Sequence, residues 1–397
     1  MIKPEEKVTR DLLSSVCFSY KASENYEERL KNPEKYSERY EECLGGFDDK
    51  GNMIAALNME PFVMNFDGHN VKMCGIAAVV TLPEARGTGI MTKIFDECLQ
   101  MMKDNGYIFS TLFPFSYAYY RKFGYELAYE KRRTQLPIDC FRKYPFPKNS
   151  VRLWKKEDGF GDLRLVYDEF RKGRNHAIER SDISWERILK DADPYSQLKF
   201  TYIHYDANGK PDSYLRFSPK SIPDDYNQIQ ISELAWTSKA GLHDMFGFIG
   251  GLSPQFNKVN WDVPDDLDLG SMFPEGGDVS TKVYTSVMTR ILDLPEALKL
   301  MKAPVTPSGK VVLDVVDKSM ACNTGKYAVS WENGKISVEK TSDTADINTS
   351  IETLAQMLIG YVNPETAAYR SDTTIHSGHE AIDALFPKKK LYLWEAF

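Results

Sequence analysis

The amino-acid sequence predicts a mixed α/β protein of the α+β class, built from more than one domain. Three observations lead to this prediction. Between residues 73 and 112, an apolar strand-like run, a glycine-containing loop, an amphipathic segment and a short strand follow one another. Residues 145–288 repeat this order, and residues 289–397 alternate as strands do before an amphipathic helix. At 397 residues the chain is also too long for one ordinary domain.

The first segment, residues 1–144, opens with an amphipathic helix. Val8, Leu12, Leu13 and Val16 recur at helical spacing, so we expect them to share a buried face. The charged stretch at residues 24–42 is interpreted mainly as a solvated helical face and as a candidate rim of a cleft. Two turn sequences, at residues 48–52 and 67–70, then predict hairpins.

The loop at residues 81–91 is the most informative part of the chain. It follows an apolar run from Met73 to Val80 and contains Gly87 and Gly89. The segment after it predicts a helix that stops at Asn105-Gly106. Its apolar residues at helical spacing are Ile94, Phe95, Cys98, Leu99 and Met102.

A strand, a glycine loop and a helix N-terminus together predict an anion-binding site. The two glycines let the backbone approach a ligand, and the first free N–H groups of the helix point toward it. Arg86 adds a cation that can bind phosphate oxygens in a bidentate manner. Taken alone, the loop is equally well interpreted as an ordinary strand-to-helix turn.

The residues after the helix favour the anion site. A second short strand, Tyr107 to Leu112, precedes Pro114-Phe115 and the sequence YAYYRKFGYE at residues 117–126. A phosphate loop, a helix, a strand and this sequence closely resemble the GNAT N-acetyltransferases. TLPEARGTGIM (81–91) and LFPFSYAYYRKFGYE (112–126) are similar to the enhanced intracellular survival (Eis) branch. Met91 stands where a final Gly or Ala of the loop is common, and this exchange is part of the resemblance to that branch.

This resemblance implies acetyl-CoA as the cosubstrate, bound by three groups of residues. The residues that would hold its pyrophosphate are Arg86, Gly87, Thr88, Gly89, Ile90, Met91 and Thr92. Val79, Val80 and Thr81, at the end of the preceding strand, would pair their backbone groups with the pantetheine amides, as an added strand does. Phe115 and Ser116 would begin the helix beside the acetyl group.

The middle segment, residues 145–288, has the same order of elements but no such loop. Its predicted elements are a hairpin turn at residues 206–210, a strand at 228–236, a helical run with Leu242, Phe246 and Ile249, and a strand near 259–261. Residues 237–241 stand where the phosphate loop would be, without an R-G-x-G sequence. The resemblance implies a degenerate second GNAT fold that has lost its cofactor and walls the substrate cleft.

The last segment, residues 289–397, resembles a sterol carrier protein domain. A Glu-Asn-Gly turn at residues 332–334 predicts a hairpin between residues 327–331 and 335–339. The remaining pattern residues are Val311, Leu313 and Val315 in a strand, and Ile351, Leu354, Ala355 and Leu358 in a helix. We interpret this segment as a structural domain that helps to build the cleft and the oligomer, with a bound apolar ligand as the alternative.

Composition argues against several other classes of protein. No stretch approaches the roughly 20 apolar residues of a membrane span, and the first residues lack the apolar core of a signal peptide. The six cysteines are scattered, without C-x-x-C pairs or paired histidines, which predicts buried thiols in a reducing cytoplasm and no metal site. The formal net charge of −7 argues against nucleic acid as a partner and is compatible with a cationic amine.

Tyr120 is the predicted general acid. It lies three residues before Phe123-Gly124-Tyr125, which is the position that the family motif assigns to the acid. A phenol with a pKa of about 10 stays neutral at pH 7 and is suited to reprotonating a thiolate whose pKa is about 8.5. Tyr117, Tyr119 and Tyr125 are the competing candidates.

Phe397, the last residue of the sequence, is the predicted base. In Eis-like enzymes the carboxylate of a terminal phenylalanine enters the active site of the first domain. A carboxylate of pKa about 3.5 is a weak base for an ammonium ion, so the role requires a raised pKa or a water relay. The alternative is a docked apolar tail whose carboxylate only forms a salt bridge. Glu24 and Glu395 are candidates for attracting a cationic substrate, and nothing in the sequence places Asn58 or His69 at the site.

These observations predict an acetyl-CoA-dependent N-acetyltransferase. Because no cysteine lies beside the loop as an acyl carrier, direct attack of an amine in a ternary complex is expected. Family resemblance implies aminoglycoside-, polyamine- or lysine-like acceptors and a homo-oligomer, in the family a hexamer. The alternative is a non-catalytic acyl-CoA or lipid-binding protein that uses the C-terminal domain.

Overall fold

The computed structural model describes residues 1–3, 6–22, 24, 26–32, 42–220, 227–273 and 278–397. The chain forms two compact units. The first unit contains Met1–Ala128, Ser286–Lys389 and Glu395–Phe397, and the second contains Tyr129–Thr285 and Lys390–Trp394. Of the charged stretch predicted at residues 24–42, residues 33–41 lie outside the described residues.

Every segment of the chain contains both helices and strands. In chain order the helices are α1 Lys7–Phe18, α2 Tyr26–Lys31, α3 Ile90–Asp104, α4 Tyr117–Arg121, α5 Gly161–Arg171, α6 Asp182–Leu189, α7 Lys239–Gly251, α8 Leu269–Met272, α9 Leu294–Lys299, α10 Ile351–Ile359, α11 Pro364–Ala367 and α12 His379–Leu385. The strands are β1 Glu42–Phe47, β2 Met53–Phe66, β3 His69–Thr81, β4 Phe109–Leu112, β5 Glu126–Pro137, β6 Val151–Leu153, β7 Phe200–Tyr205, β8 Pro211–Lys220, β9 Gln228–Trp236, β10 Lys258–Val263, β11 Ser280–Ile291, β12 Ser308–Val316, β13 Gly325–Glu332, β14 Lys335–Lys340, β15 Ile347–Ser350 and β16 Thr373–Ile375.

In the first unit, β1, β2 and β3 pair antiparallel, and β3 then pairs parallel with β4. Residues 288–291 of β11 pair antiparallel with the other edge of β4. Helix α3 connects β3 to β4 and packs on one face of this sheet. All five apolar residues predicted for its inner face are buried there: Ile94, Phe95, Cys98, Leu99 and Met102. The predicted hairpins at residues 48–52 and 67–70 are confirmed.

The predicted buried face of α1 is wrong at Val16. Val8 and Leu13 are buried, and Leu13 packs with Met53 and Val80 of the sheet. Cys17, four residues after Leu13, lies against the same cluster. Because the last turn contacts the sheet through Cys17, its other side faces solvent, and Val16 is 57% exposed.

The prediction that all cysteines are buried is also wrong. Six cysteines are free; Cys43, Cys74 and Cys98 are buried, Cys17 and Cys140 are half-buried, and Cys322 is exposed. Cys322 lies in a turn after β12, where its thiol is 3.4 Å from Nζ of Lys103.

The second unit repeats the order of the first, as predicted. Strands β6, β7, β8 and β9 pair antiparallel, β9 pairs parallel with β10, and β10 pairs antiparallel with residues 132–137 of β5. Helix α7 connects β9 to β10, as α3 connects β3 to β4. Its predicted apolar residues, Leu242, Phe246 and Ile249, are buried.

Residues 308–375 form the sheet of the third segment, in the order β14-β13-β12-β15-β16. The hairpin predicted around the Glu-Asn-Gly turn is β13 paired with β14. Helix α10 buries the predicted residues Ile351, Leu354, Ala355 and Leu358. The mixed α/β class and the order of three segments are therefore confirmed.

Candidate active site

The first unit contains an opening between two parallel strands. β3 and β4 pair from Met73 opposite Phe109 to Ile76 opposite Leu112. β4 ends there, whereas β3 continues to Thr81. An irregularity in the pairing with β2 accompanies this stretch, and Ala78 adopts a positive φ of 47°. Among the described strands none pairs with residues 77–81 on the β4 side, so this edge can accept an extended ligand.

The loop after β3 leads directly into a helix N-terminus. Gly87 and Gly89 have φ values of 80° and 81°, and an added Cβ at either position would meet nothing within 4 Å. Their conformation therefore needs glycine, and their open surroundings leave room for a ligand. Gly89 is the N-cap of α3, and no side chain caps the helix from this position. The amide of Ile90, the first of the helix, donates to Oγ1 of Thr88 at 3.4 Å, and the amides that follow it are those available to an anion.

A cavity of about 750 Å³ joins the strand edge to the loop. It is lined by Val79, Val80, Thr81, Arg86, Gly87, Gly89, Ile90, Met91, Thr92 and Phe115 of the predicted site, together with Cys17, Phe18, Ala85 and Tyr119. Four residues of the predicted site do not line it, namely Thr88, Ser116 and the two predicted catalytic residues, Tyr120 and Phe397. Thr88 Oγ1 donates to the carbonyl of Ala85 at 2.8 Å, and Ser116 Oγ accepts from the amide of Tyr119 at 3.4 Å.

The lining fits a CoA thioester in its chemistry. A free strand edge can hydrogen-bond amides, and the helix N-terminus and Arg86 can bind a pyrophosphate. Arg86 is exposed, and its Nε lies 3.4 Å from the carbonyl of Thr81, which places the guanidinium at the junction of strand and loop.

Sequence reasoning missed Cys17 and Phe18, and its premise that no cysteine lies beside the loop is wrong. Both come from the last turn of α1, and the thiol of Cys17 lies 3.3 Å from the carbonyl of Thr81. Phe18 lines the cavity although 56% of it is exposed. The pattern of α1 predicts only a core-facing helix, and it carries no signal for a ligand.

Helix α4 begins beside the cavity and carries the candidate tyrosines. Tyr120 is only 2% exposed and packs against the ring of Phe115, with centroids 5.2 Å apart. Phe115 itself is 71% exposed and lines the cavity. Burial, with a smaller contribution from Tyr119, raises the pKa of Tyr120 well above its ordinary value. The Tyr120 phenol therefore keeps its proton at neutral pH and is a donor, not a base.

The competing tyrosines differ in their surroundings. Tyr125 is fully buried, and its hydroxyl lies 2.7 Å from that of Ser110, which donates to the carbonyl of Cys74. Tyr125 is thus part of the core. Tyr117 stacks near the guanidinium of Arg121. Tyr119 lines the cavity directly, which makes it the main rival of Tyr120.

The surroundings of Gly124, in the FGY sequence, explain why this residue is a glycine. Gly124 has a φ of 78°, and the guanidinium of Arg290 occupies the position that a Cβ would take. Arg290 is fully buried, donates to the carbonyl of Phe123 and forms an ion pair with Asp317 at 2.9 Å. A larger residue at position 124 would displace this guanidinium.

Phe397 lies on the sheet of the first unit. Its ring occupies the space that a Cβ on Gly75 would need, and it contacts the rings of Phe62 and Phe113 with centroids 5.1 Å away in each case. Residues 74 and 76 belong to the core beneath α3, so Gly75 faces the opposite side of the sheet. Since Gly75 pairs with Thr111, one position before β4 ends, Phe397 and Tyr120 border the same opening from opposite faces.

The other candidate residues do not lie together at one site. Asn58 is buried and pairs opposite Ala77, next to the opening. His69 starts β3 at the end remote from the loop and is exposed. Glu24 is exposed, whereas Glu395 is buried.

The second unit has the same strand arrangement, but its helix N-terminus is occupied. The N-cap Ser238 bonds the amide of Gly241, and the carboxylate of Asp212 lies where a Cβ on Gly241 would be. His204 Nδ1 is 2.6 Å from that carboxylate. Burial lowers the pKa of His204, but the bond to Asp212 outweighs it and the pKa is raised overall.

The strand edge of the second unit is also occupied. β9 pairs with β10 only as far as Ile231. Beyond that point, Trp394 Nε1 donates to the carbonyl of Ser232, and the Tyr392 hydroxyl donates to Glu233 at 3.2 Å. The chain's own C-terminal residues thus lie along the part of β9 that corresponds to the open edge of β3 in the first unit.

The described residues offer neither a metal-binding cluster nor a membrane-spanning helix. They contain no group of three or more His, Cys, Asp or Glu side chains arranged to hold a metal ion. In the same part of the chain, no helix is both long and apolar enough to span a bilayer.

Three stretches of the chain match known families. Residues 5–128 and 177–291 each match a family described as acetyltransferase (GNAT) domain, and residues 294–394 match the sterol carrier protein domain. An N-acetyltransferase of Streptomyces avermitilis, described as uncharacterized, is 23% identical over 341 residues, which are 80% of this chain and 78% of that protein.

Solved structures share the fold over the full length. The crystal structure of a GCN5-related N-acetyltransferase from Anabaena variabilis has a TM-score of 0.84 at 20% identity, covering 100% of this chain and 98% of that one. Eis1 from Mycobacterium abscessus has a TM-score of 0.82 at 19% identity, covering 100% and 99%. The chain is a GNAT acetyltransferase with two GNAT domains and a C-terminal sterol carrier protein domain, and its fold and domain order are Eis-like. GNAT domains use acetyl-CoA as the cosubstrate, which agrees with the lining of the cavity.

The loop assignment predicts the effect of Arg86→Ala. Loss of a charge-assisted hydrogen bond should weaken acetyl-CoA binding by roughly 1–3 kcal/mol. Titration calorimetry should give one CoA per chain, because Asp212 and the tail occupy the second domain. Lys50→Ala, which removes an exposed cation from the β1–β2 turn, is the matched control. Unaltered binding by folded Arg86→Ala would refute the role of Arg86, and two CoA per chain would refute the single site.

Proposed function

We propose that the first domain transfers the acetyl group of acetyl-CoA directly to a primary amine. The observation that carries this proposal is the cavity at the β3–β4 opening. It combines a free strand edge, a helix N-terminus whose N-cap residue has no capping side chain, and the helix of Tyr120. The free edge of β3 orients the pantetheine, and the α3 amides with Arg86 hold the pyrophosphate. The thioester is then fixed between the two strands, which supplies the proximity that aminolysis needs.

In the reaction the amine nitrogen bonds to the acetyl carbon, and the bond from that carbon to sulfur breaks. Tyr120 gives its proton to the departing sulfur, and solvent restores it. Burial raises the pKa of Tyr120, so the phenol carries a proton to donate at working pH, while the same shift makes it a weaker acid. No acyl-enzyme is required, so both substrates occupy the site together.

The terminal carboxylate of Phe397 takes the proton of the attacking amine, directly or through one water. The ring of Phe397 against Gly75 supports this assignment, because it brings the end of the chain to the opening. Tyr120 borders the opening from the other face of the sheet. Acid and base thus act on the two sides of one thioester, which keeps them from neutralising each other.

The acceptor is a primary amine of the aminoglycoside, polyamine or lysine type, held as a cation at neutral pH. We propose a homo-oligomer, a hexamer by family resemblance, and a cytoplasmic location. The alternative of a lipid carrier draws no support from the second cavity of the first unit, of about 370 Å³. Its lining is charged and includes Arg121, Glu126, Lys318, Arg370 and Asp372.

Thiol release from acetyl-CoA tests the function directly. We expect turnover with at least one member of a panel of polyamines, aminoglycosides and lysyl peptides, because the site is built around the thioester. Mass spectrometry of the product should show one added acetyl group on nitrogen. CoA binding without turnover on any amine would favour the non-catalytic alternative.

Tyr120→Phe keeps the ring and its packing but removes the proton. Turnover should fall by something like 10²–10⁴-fold, while the melting temperature and CoA affinity are retained. Tyr119→Phe is the matched control, since it removes a neighbouring hydroxyl that lines the cavity. If Tyr119→Phe is impaired and Tyr120→Phe is not, the acid is Tyr119.

The position of the Phe397 carboxylate is tested by changing the end of the chain. Deleting Phe397 retracts the carboxylate by about 3.5 Å of extended chain, beyond the reach of direct proton transfer. Adding a few residues after Phe397 moves it away as well, so both variants should lose activity. Phe397→Leu keeps the carboxylate and should retain more activity than either.

Two controls accompany this test. An N-terminal tag should leave turnover unchanged. Gly75→Ala should lower activity without changing the sequence of the tail, because the added methyl group takes the space of the terminal ring and displaces it. Full activity of the extended chain would show that the terminus is structural, and the base would then be sought among the carboxylates around Glu24.

A further inference from the structure

Helix α4, which bears Tyr120, has five residues and cannot persist without tertiary contacts. Its first turn is capped by Ser116, whose Oγ accepts from the amide of Tyr119. The direction of Tyr120 therefore depends on what holds the other end of the helix, at residues 121–126.

A buried carboxylate holds that end. Glu126, the first residue of β5, is 1% exposed. It accepts two hydrogen bonds from the guanidinium of Arg121, both at 2.8 Å, and a third from Nη2 of Arg370 at 2.9 Å. Arg121 is the residue after Tyr120, whereas Arg370 belongs to the sterol carrier domain. One carboxylate thus links that domain to the helix of the proposed acid.

Other residues hold the turn between Arg121 and Glu126. Ser319 Oγ donates to the carbonyl of Lys122 at 3.0 Å. Arg290 donates to the carbonyl of Phe123 and is itself held by Asp317. Asp317 and Ser319 lie in the sterol carrier domain, which therefore reaches this short turn at several points.

The charges around Glu126 keep its carboxylate ionised, which strengthens its bonds to the two arginines. Burial opposes ionisation, but the bonds from Arg121 and the Leu127 amide and the charge of Arg370 lower the pKa of Glu126 overall. Glu126 is therefore ionised at neutral pH. Arg370 is fixed in turn by Asp372, which accepts from the hydroxyls of Ser350 and Thr353 at the start of α10.

We propose that Arg370 is a positioning residue for acetyl transfer. It holds Glu126, and through Glu126 it holds Arg121, so that the neighbouring Tyr120 is directed at the strand opening. This inference rests on the proposed acid role of Tyr120. It assigns the sterol carrier domain a part in the chemistry of the first domain, as the support of the catalytic helix.

Kinetics of Arg370→Gln test the proposal. Because misplacement of the acid affects the chemical step, kcat should fall roughly 10- to 100-fold, while KM for acetyl-CoA and CoA affinity stay unchanged. Arg370→Lys keeps the charge and should restore much of kcat. Lys310→Gln, which breaks an exposed ion pair with Asp343 in the same domain, should behave as wild type. Wild-type kcat in Arg370→Gln would overturn the proposal.

A double-mutant cycle separates positioning from a general structural effect. If Arg370 acts through Tyr120, adding Arg370→Gln to Tyr120→Phe should cause little further loss. An equal loss in both backgrounds would overturn the proposal. Full activity of Tyr120→Phe alone would refute the acid role and this inference together, whereas loss only in Tyr120→Phe would refute the inference alone.

Hydrogen exchange gives a readout that needs no turnover. A peptide covering residues 113–126 should exchange faster in Arg370→Gln than in wild type or Lys310→Gln, because the end of α4 is released. Unchanged exchange would overturn the proposal even if no acceptor amine is found. If Arg370→Gln does not fold, Ser319→Ala replaces it, since that change removes a single hydrogen bond to the same turn.

Discussion

The unequal lengths of two parallel strands determine the site of this enzyme. β4 stops at Leu112, whereas β3 runs on to Thr81, so a stretch of backbone has no partner strand in its sheet. The loop proposed to bind phosphate follows the longer strand, and the helix of Tyr120 follows the shorter one. Had β4 continued alongside β3, its own amides would fill the edge, and the ring of Phe397 would lie beside a closed sheet. The proposed ligand binding and catalysis thus both depend on an incomplete pairing.

The two GNAT domains show how one topology can be open or closed to a ligand. In the first, the N-cap Gly89 has no side chain that could cap the helix, and Arg86 adds a positive charge to the cavity beside it. In the second, Ser238 caps the helix and Asp212 brings its own carboxylate. Backbone amides and strand edges need partners in both cases. The first domain leaves them for a substrate, and the second satisfies them with its own side chains and tail.

Local patterns predicted most of the fold, because the elements are amphipathic and end at clear turn residues. The helix after the loop and the hairpin at residues 332–334 are examples. Contacts between distant residues could not be predicted in this way. Cys17 and Phe18 reach the cavity only through packing of α1, Asp212 meets α7 across a sheet, and Arg370 meets Glu126 across 244 residues of sequence. Val16 and Cys322 were mispredicted because periodicity and composition do not say which side of a terminal turn faces water.

The carboxylate of Asp212 makes the loss of the second site hard to reverse. Restoring an arginine and two glycines before α7 would recreate the loop, yet any incoming phosphate would meet a negative charge already in place. Removing Asp212 would in turn leave Nδ1 of His204 without that partner, while Nε2 would keep Asp244 at 3.4 Å. Several changes would have to arrive together, each unfavourable by itself. The second domain is thus suited to a structural role, in which its helix N-terminus needs no ligand.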